Sequence, residues 1–200
     1  MKSLVGNQLR KPDGFFGKII AFLMEKGNRE FYTKCFAELN IQTNNSIFEI
    51  GYGPGYGIEI LAKEYNPKLI SGIDFSTLMY RMASERIRFI GKPDQINLYS
   101  GDFLELSNEE KFDKVLCINV IYFWGDLKIA FEKVYSILKQ NGKFVLFMQD
   151  ASRLEKLKFT NEFYKYEPDV VIQALITAGF SSIKVKNENG IYISGQRFEN

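Results

Sequence analysis

The segment IFEIGYGPGYGIEIL (residues 47–61) carries the residues most suited to chemistry. Gly51, Gly53 and Gly55 alternate with other residues, and Glu49 precedes the first of them by two positions. Glycine has no Cβ and accepts a left-handed backbone, so such a loop allows a ligand to lie against bare main chain. The loop follows an apolar run and precedes a helical pattern, which predicts a ligand-binding turn between a strand and a helix.

Two familiar phosphate-binding loops do not match this segment. A Walker A loop requires Lys and Ser/Thr after its last glycine, whereas Ile58 and Glu59 follow Gly57 here. The dinucleotide fingerprint Gly-x-Gly-x-x-Gly would need its third glycine at residue 56 or 58, and these are Tyr56 and Ile58. The sequence therefore argues against both an NTPase and an NAD-dependent oxidoreductase.

Composition narrows the remaining classes. The chain has 200 residues, a formal net charge of +2 and no histidine. This length favours one domain, and the charge indicates no nucleic-acid partner. No apolar run reaches the roughly 20 residues of a membrane span, and the first residues lack the apolar core of a secretion signal. We expect a cytoplasmic protein with no metal site, in which Cys35 and Cys117 are reduced core residues.

Strand and helix patterns alternate from residue 46 onward, which predicts an α/β fold with a parallel sheet covered on both faces. A C-terminal hairpin is expected to add an antiparallel strand at one edge. Before the sheet, two helices are expected at about 14–26 and 29–40, separated by Gly27-Asn28. The predicted strands are 46–50, 69–74, 96–102, 112–120, 143–148, 182–187 and 190–196, and the later helices are 56–65, 77–91, 127–140 and 168–178.

Six segments in order resemble the class I S-adenosylmethionine-dependent methyltransferases. They are the glycine loop, GIDFS (72–76), SGDF (100–103), FDKVLCINVIYFW (112–124), ILKQNGKFVLF (137–147) and ALITAGF (174–180). The resemblance covers nearly all of residues 46–196 and implies a doubly wound, Rossmann-like sheet of seven mostly parallel strands. It also implies S-adenosylmethionine as the cofactor.

The resemblance implies roles for particular residues. The Gly51–Gly55 loop would hold the methionine part of the cofactor, and Glu49 would face its positive charge. Asp74 would accept hydrogen bonds from both ribose hydroxyls, because the two oxygens of a carboxylate match a vicinal diol. The adenine pocket and the region facing the transferred methyl would be formed by Phe75, Met79, Asp102, Phe103 and Asn119. Simpler explanations stay open: Asp74 and Asp102 could be turn or capping residues, Glu49 an ion-paired residue, and Asn119 a partner of the backbone.

The acceptor is less well specified. The fourth strand is followed by NVIYFW (119–124) and not by the Asp/Asn-Pro-Pro-Tyr motif typical of methyltransferases that act on exocyclic or amide nitrogens. The overall pattern is most similar to the small-molecule group that includes the ubiquinone/menaquinone C-methyltransferases. If a general base is needed, Tyr122, Asp126 and Glu162 are candidates. A catalytically silent cofactor-binding or scaffolding protein is the alternative. The sequence indicates neither the oligomeric state nor the accepting atom.

Two segments outside the repeating pattern are expected to cover the site. The first belongs to an N-terminal helical lid (1–45) placed before a cofactor-binding core (46–200), and an apolar face of Phe16, Ile19, Ile20 and Leu23 is expected on its helix 14–28. The second is 152–167, which is longer than the usual connection between a strand and a helix. Such a cover implies an acceptor that is apolar or aromatic on one side.

Overall fold

The computed structural model of the protein describes residues 4–107 and 109–198. Its strands are β1 (Ser46–Ile50), β2 (Leu69–Asp74), β3 (Ile96–Ser100), β4 (Phe112–Ile118), β5 (Leu138–Met148), β6 (Ser181–Asn187) and β7 (Ile191–Gln196). Its helices are α1 (Leu4–Arg10), α2 (Gly14–Leu39), α3 (Tyr56–Ile60, continued by a π-helical turn over Leu61–Tyr65), α4 (Thr77–Arg88), α5 (Leu127–Ile137), α6 (Ala151–Glu155) and α7 (Pro168–Thr177).

All seven strands form one sheet in the order β3-β2-β1-β4-β5-β7-β6. The pairs from β3 to β5 are parallel, and β7 is antiparallel to both β5 and β6. The chain reverses its winding direction next to β1, between β1 and β4, which is where parallel α/β sheets place their ligands. The predicted fold class is thus confirmed, including the C-terminal hairpin.

The sheet separates two apolar cores. Side chains such as Phe48, Val115 and Phe144 pack with α5 and α7 on one face, while Ile47 and Leu116 pack with α2 and α3 on the other. Successive residues of a strand point to opposite faces, so the continuous apolar runs of the central strands supply both cores. Cys35 and Cys117 are buried free thiols, as expected.

One prediction about the N-terminal region is wrong. Residues 14–39 form a single helix and not two helices divided at Gly27-Asn28. A glycine inside a helix costs only about 1 kcal/mol, whereas burial of Phe31, Tyr32 and Phe36 against the sheet favours a continuous helix by more. The helix ends at Asn40, whose left-handed backbone (φ 51°) directs its N–H to the carbonyls of Phe36 and Ala37.

The apolar face predicted for this helix is also wrong in part. Ile20 is buried, but Phe16, Ile19 and Leu23 are exposed. The inward face consists instead of Gly17, Ile20, Ala21 and Met24.

Other boundaries differ in detail from the predictions. The helix that begins after Asp126 ends at Ile137 and not at Asn141-Gly142, because Leu138 already pairs with Phe112 in the sheet. The segment 152–167 is not a plain loop: most of α6 and a 3₁₀ turn over Lys158–Thr160 lie within it. Among the described helices, none has the length and apolar character needed to cross a membrane.

Candidate cofactor and acceptor site

The glycines after β1 have three different surroundings. A Cβ at Gly51 would lie 2.2 Å from Cγ2 of Val120, and one at Gly55 would lie 2.9 Å from Cβ of Ala83, so both permit close packing of neighbouring chain. A Cβ at Gly53 would meet no atom within 4 Å. Gly53 therefore presents bare backbone to open space, while Gly51 and Gly55 shape the loop that holds it there.

Asp74 ends β2 beside this loop. Its Oδ2 accepts a hydrogen bond from the N–H of Gly53 (2.8 Å), and its Oδ1 accepts one from the N–H of Ser76 (2.8 Å). Asp74 therefore does stabilise the turn that leads into α4, which was the simpler explanation for this residue. Each oxygen keeps a second lone pair that could accept a ligand hydroxyl. Burial raises the pKa of Asp74 to about 6, although the two backbone bonds act in the opposite direction.

Glu49 lies beneath the loop, inside the protein. The hydroxyl of Tyr32 on α2 donates to its Oε1 (2.6 Å), while its Oε2 is buried without a hydrogen-bond partner. Burial raises the pKa of Glu49 to about 7; the Tyr32 bond lowers it, and the charge of Asp74 raises it. The described residues do not pair Glu49 with a cation, so the ion-pair alternative has no support. A buried oxygen without a partner is suited to a positively charged ligand.

Asn119 connects the end of β4 to α2. It has a left-handed backbone (φ 57°), and its side-chain amide donates to Oδ1 of Asn28 (3.0 Å). Its own Oδ1 accepts from the hydroxyl of Tyr122 (2.9 Å), which in turn accepts from the N–H of Gln149. This chain of polar groups fixes the orientation of the Asn119 amide at the edge of the cavity.

These features surround a single cavity at the carboxyl ends of β1, β2 and β4. It encloses about 1080 Å³ of empty space, counting its open mouth. Of the residues predicted for the site, eight line it: Gly51, Gly53, Asp74, Phe75, Met79, Asp102, Phe103 and Asn119. Glu49 and Gly55 lie behind this lining.

The side of the cavity beyond β2 suits a flat ring. Met79 and Phe103 are buried and line it, while Phe75 is partly exposed and has Nζ of Lys11 4.8 Å from its ring centre. Asp102 accepts from the N–H of Leu104 (2.9 Å), so it caps a short 3₁₀ turn as well as lining the cavity.

Segment 14–28 was expected to cover the site, but the α2 side chains that line the cavity were not predicted. Met24, Glu25, Asn28 and Tyr32 of α2 share one helical face and line the cavity opposite the sheet. Glu25 pairs with Arg86 of α4 (2.7 Å), which holds α2 in place across the site. Residues 24, 25, 28 and 32 are spaced so that they share one face of a continuous helix. A helix break at Gly27-Asn28, as predicted, would separate them, so this face was not recognised in the sequence.

The structure places the three candidate bases away from the cavity lining. Tyr122 is buried with its hydroxyl bonded at both ends, and burial raises its pKa well above the ordinary value. Asp126 caps α5 by accepting from the N–H of Ile129 (3.1 Å), and Glu162 is exposed at the surface. The described residues contain no group of three or more acidic or cysteine side chains that could hold a metal.

Comparisons with known proteins agree with the fold and the glycine loop. A family model described as a methyltransferase domain matches residues 47–142. The chain is 27% identical over 172 residues to the uncharacterized methyltransferase YdaC of Bacillus subtilis, covering 86% of this chain and 91% of that protein. It is 23% identical to a ubiquinone/menaquinone biosynthesis C-methyltransferase of Geotalea daltonii, covering 91% of this chain and 77% of the other.

A solved structure of similar fold is phosphoethanolamine N-methyltransferase 2 of Haemonchus contortus, with a TM-score of 0.74 and 17% identity. The similarity covers 86% of this chain and about half (53%) of that protein. The sheet order, the glycine loop and these comparisons together define a Rossmann-like methyltransferase. The protein is a class I S-adenosylmethionine-dependent methyltransferase, and S-adenosylmethionine is the cofactor of that class.

Proposed function

We propose that the protein transfers the methyl group of S-adenosylmethionine to a small molecule that is apolar or aromatic on one side. The observation that carries this proposal is that the cavity has two parts. The glycine loop and the strand ends line the part suited to the cofactor, and α2 lines the part left for an acceptor. In this assignment Gly53 lies under the methionine part, Asp74 binds the ribose, and Met79 and Phe103 enclose the adenine. Asp102 is positioned to accept from the adenine amino group.

The buried Glu49 completes the cofactor site in this proposal. The bound cofactor carries an ammonium and a sulfonium charge, and the partnerless Oε2 would gain from either one. Tyr32 holds the carboxylate through its other oxygen, so Glu49 cannot easily turn away. Glu49 then acts electrostatically from beneath the loop, whether or not it touches the ligand.

The acceptor is assigned to the space between α2 and the residues that follow β4. Met24, Phe123 and Trp124 supply apolar surface there, and Asn28 and Asn119 supply a joined pair of amides. This combination fits a ring or chain with one polar group. The relative from Geotalea daltonii is named for ubiquinone and menaquinone biosynthesis, which supports an acceptor of that general kind.

The chemistry requires alignment above all. The sulfonium supplied by the bound cofactor is a strong electrophile, so the protein contributes binding and orientation. Alignment of the acceptor with the methyl group can account for up to about 7–11 kcal/mol of the barrier. We assign no general base, because Tyr122, Asp126 and Glu162 lie outside the cavity lining.

The N-terminal segment is proposed to act as a lid over a core that begins at residue 46. The hydroxyl of Ser76 donates to the carbonyl of Pro12 (2.6 Å), which fixes this segment beside Asp74. Helix α1 contacts the 3₁₀ turn over Lys158–Thr160, so the N-terminal region (1–45) meets the segment 152–167. Exclusion of water strengthens the electrostatic interactions inside such a site.

The first test is binding of the cofactor and its demethylated product. S-adenosylmethionine and S-adenosylhomocysteine should both raise the melting temperature, since stabilisation at 100 times the dissociation constant is about 2.7 kcal/mol. Asp74→Ala should weaken binding by about 1.5–3 kcal/mol by calorimetry and leave the circular dichroism unchanged. The matched control is Asp126→Ala, which removes another carboxylate that caps a helix but is not part of the cavity lining. Wild-type affinity in Asp74→Ala would refute the site assignment.

The second test concerns catalysis. Labelled cofactor incubated with a fractionated metabolite extract should transfer its methyl to a component of the apolar fractions. Transfer only to polar metabolites would refute the proposed acceptor class. Cofactor binding without transfer to any fraction would favour the catalytically silent alternative.

A further inference from the structure

The first half of α2 has a second apolar face, which points away from the cavity. Five large side chains on it are between 43% and 80% exposed: Phe15, Phe16, Ile19, Phe22 and Leu23. Their spacing is i, i+1, i+4, i+7 and i+8, which places them in one stripe along a helix.

Packing among residues 4–107 and 109–198 does not account for this stripe. The opposite side of the same helix, with Gly17, Ile20 and Ala21, is already buried, and Met24 lines the cavity. A chain of this kind rarely exposes contiguous large apolar side chains unless they bind something. The stripe therefore indicates an interaction surface separate from the cofactor site.

The surroundings of the stripe are cationic. Lys18 and Lys26 flank it on α2, and no ion pair joins either of them to a described acidic residue. Phe15 lines one shallow depression together with two basic side chains, Lys18 and Arg81, and one acidic side chain, Asp13. The acidic groups nearby are engaged: Asp13 accepts from the N–H of Gly14 (2.8 Å), and Glu25 pairs with Arg86.

We propose that this face of α2 binds the surface of an anionic lipid membrane, with the helix lying in the interface. Phenylalanine and leucine on one side and lysine at the flanks are the composition of interfacial helices, and anionic headgroups complement Lys18 and Lys26. A symmetric contact between two copies would instead bring the lysines of both helices together, which is unfavourable.

Docking would place the cavity close to the lipid, because α2 is only about 10 Å across and its other face lines the cavity. An acceptor that partitions into the membrane could then reach the site without crossing bulk water. This consequence rests on the proposed function, whereas the docking itself does not.

The test is flotation of the full-length protein with vesicles of phosphatidylcholine alone or mixed with phosphatidylglycerol. We expect binding to the mixed vesicles that weakens at high salt. Phe15→Gln with Phe22→Gln should lower the partition coefficient at least about tenfold, since both rings would leave the lipid. The matched control is Ile129→Gln with Ile176→Gln, which removes two exposed apolar side chains from α5 and α7 on the other side of the sheet.

Lys18→Glu with Lys26→Glu should remove the preference for the anionic vesicles. Absence of vesicle binding, or equal loss in the control, would overturn the proposal. Dimerisation that depends on Phe15 and Phe22, without vesicle binding, would assign the face to a second copy of the chain and also overturn it. Cofactor affinity measured without vesicles should be the same in all these variants, so failure of the proposed function would be seen separately.

Discussion

The buried carboxyl of Glu49 should make the stability of the cofactor-free protein depend on pH. Its pKa is raised from 4.5 to about 7, chiefly by burial. Between these values the folded protein holds a proton that the unfolded chain has released. The stabilisation is therefore fully present below about pH 4.5 and is lost as the pH rises through about 7.

The size of the effect follows from the two pKa values. Between pH 5 and pH 8 the contribution of Glu49 to the free energy of unfolding should fall by about 2–3 kcal/mol. Glu49→Gln is neutral at every pH and keeps an oxygen for the hydroxyl of Tyr32. The variant should therefore lack this part of the pH dependence.

Urea unfolding of the wild type and of Glu49→Gln at several pH values from 5 to 8 measures the effect. The variant should gain stability relative to the wild type as the pH rises, by about 2–3 kcal/mol over this range. The control is Glu162→Gln, which removes an exposed carboxylate from the surface and should give a curve parallel to that of the wild type. Parallel curves for wild type and Glu49→Gln would refute the buried, protonated carboxyl.

Three further outcomes are expected. Affinity for S-adenosylmethionine, measured by calorimetry, should rise with pH through about 6, because the ionised form of Asp74 accepts the ribose hydroxyls better. Asp74→Asn should lack this rise and keep only the one that ionisation of Glu49 causes near pH 7. Gly51→Ala should lower the free energy of unfolding by about 1–3 kcal/mol, because its Cβ meets Val120. Gly53→Ala should lose less stability, because its left-handed backbone (φ 54°) strains an alanine but the added Cβ meets no atom within 4 Å, and it should also weaken cofactor binding. Equal stability losses in the two variants would contradict the different surroundings of the glycines. Removal of residues 1–13 should leave the circular dichroism of the sheet and lower the rate of methyl transfer, and an unchanged rate would contradict the lid.

Local sequence was sufficient for the sheet and for one wall of the site. Parallel strands are apolar on both faces and end in characteristic turns, so the position of Asp74 and of the glycine loop could be predicted before their contacts were known. All seven strands were located, with errors of up to five residues at their ends; the largest is at the start of β5 (Leu138–Met148), which was predicted at 143–148. The fold class followed because each of these signals depends on a short stretch of chain.

The predictions failed where distant contacts outweigh local preference. Gly27-Asn28 has a local pattern that favours a break, but burial of Phe31 and Tyr32 against the sheet keeps α2 continuous. That continuity is what brings Asn28 to Asn119.

Sequence alone thus determined the order of the elements and the loop that defines the class of protein. Tertiary structure decided the burial of Glu49 and its hydrogen bond from Tyr32. It also decided which side chains of α2 line the cavity and which are exposed on the outer face of the helix. It also buried Tyr122 outside the cavity lining, with its hydroxyl bonded to Asn119 and Gln149. The physical reason is that burial and pKa depend on neighbours far apart in the chain, whereas periodicity and turn chemistry depend on adjacent residues.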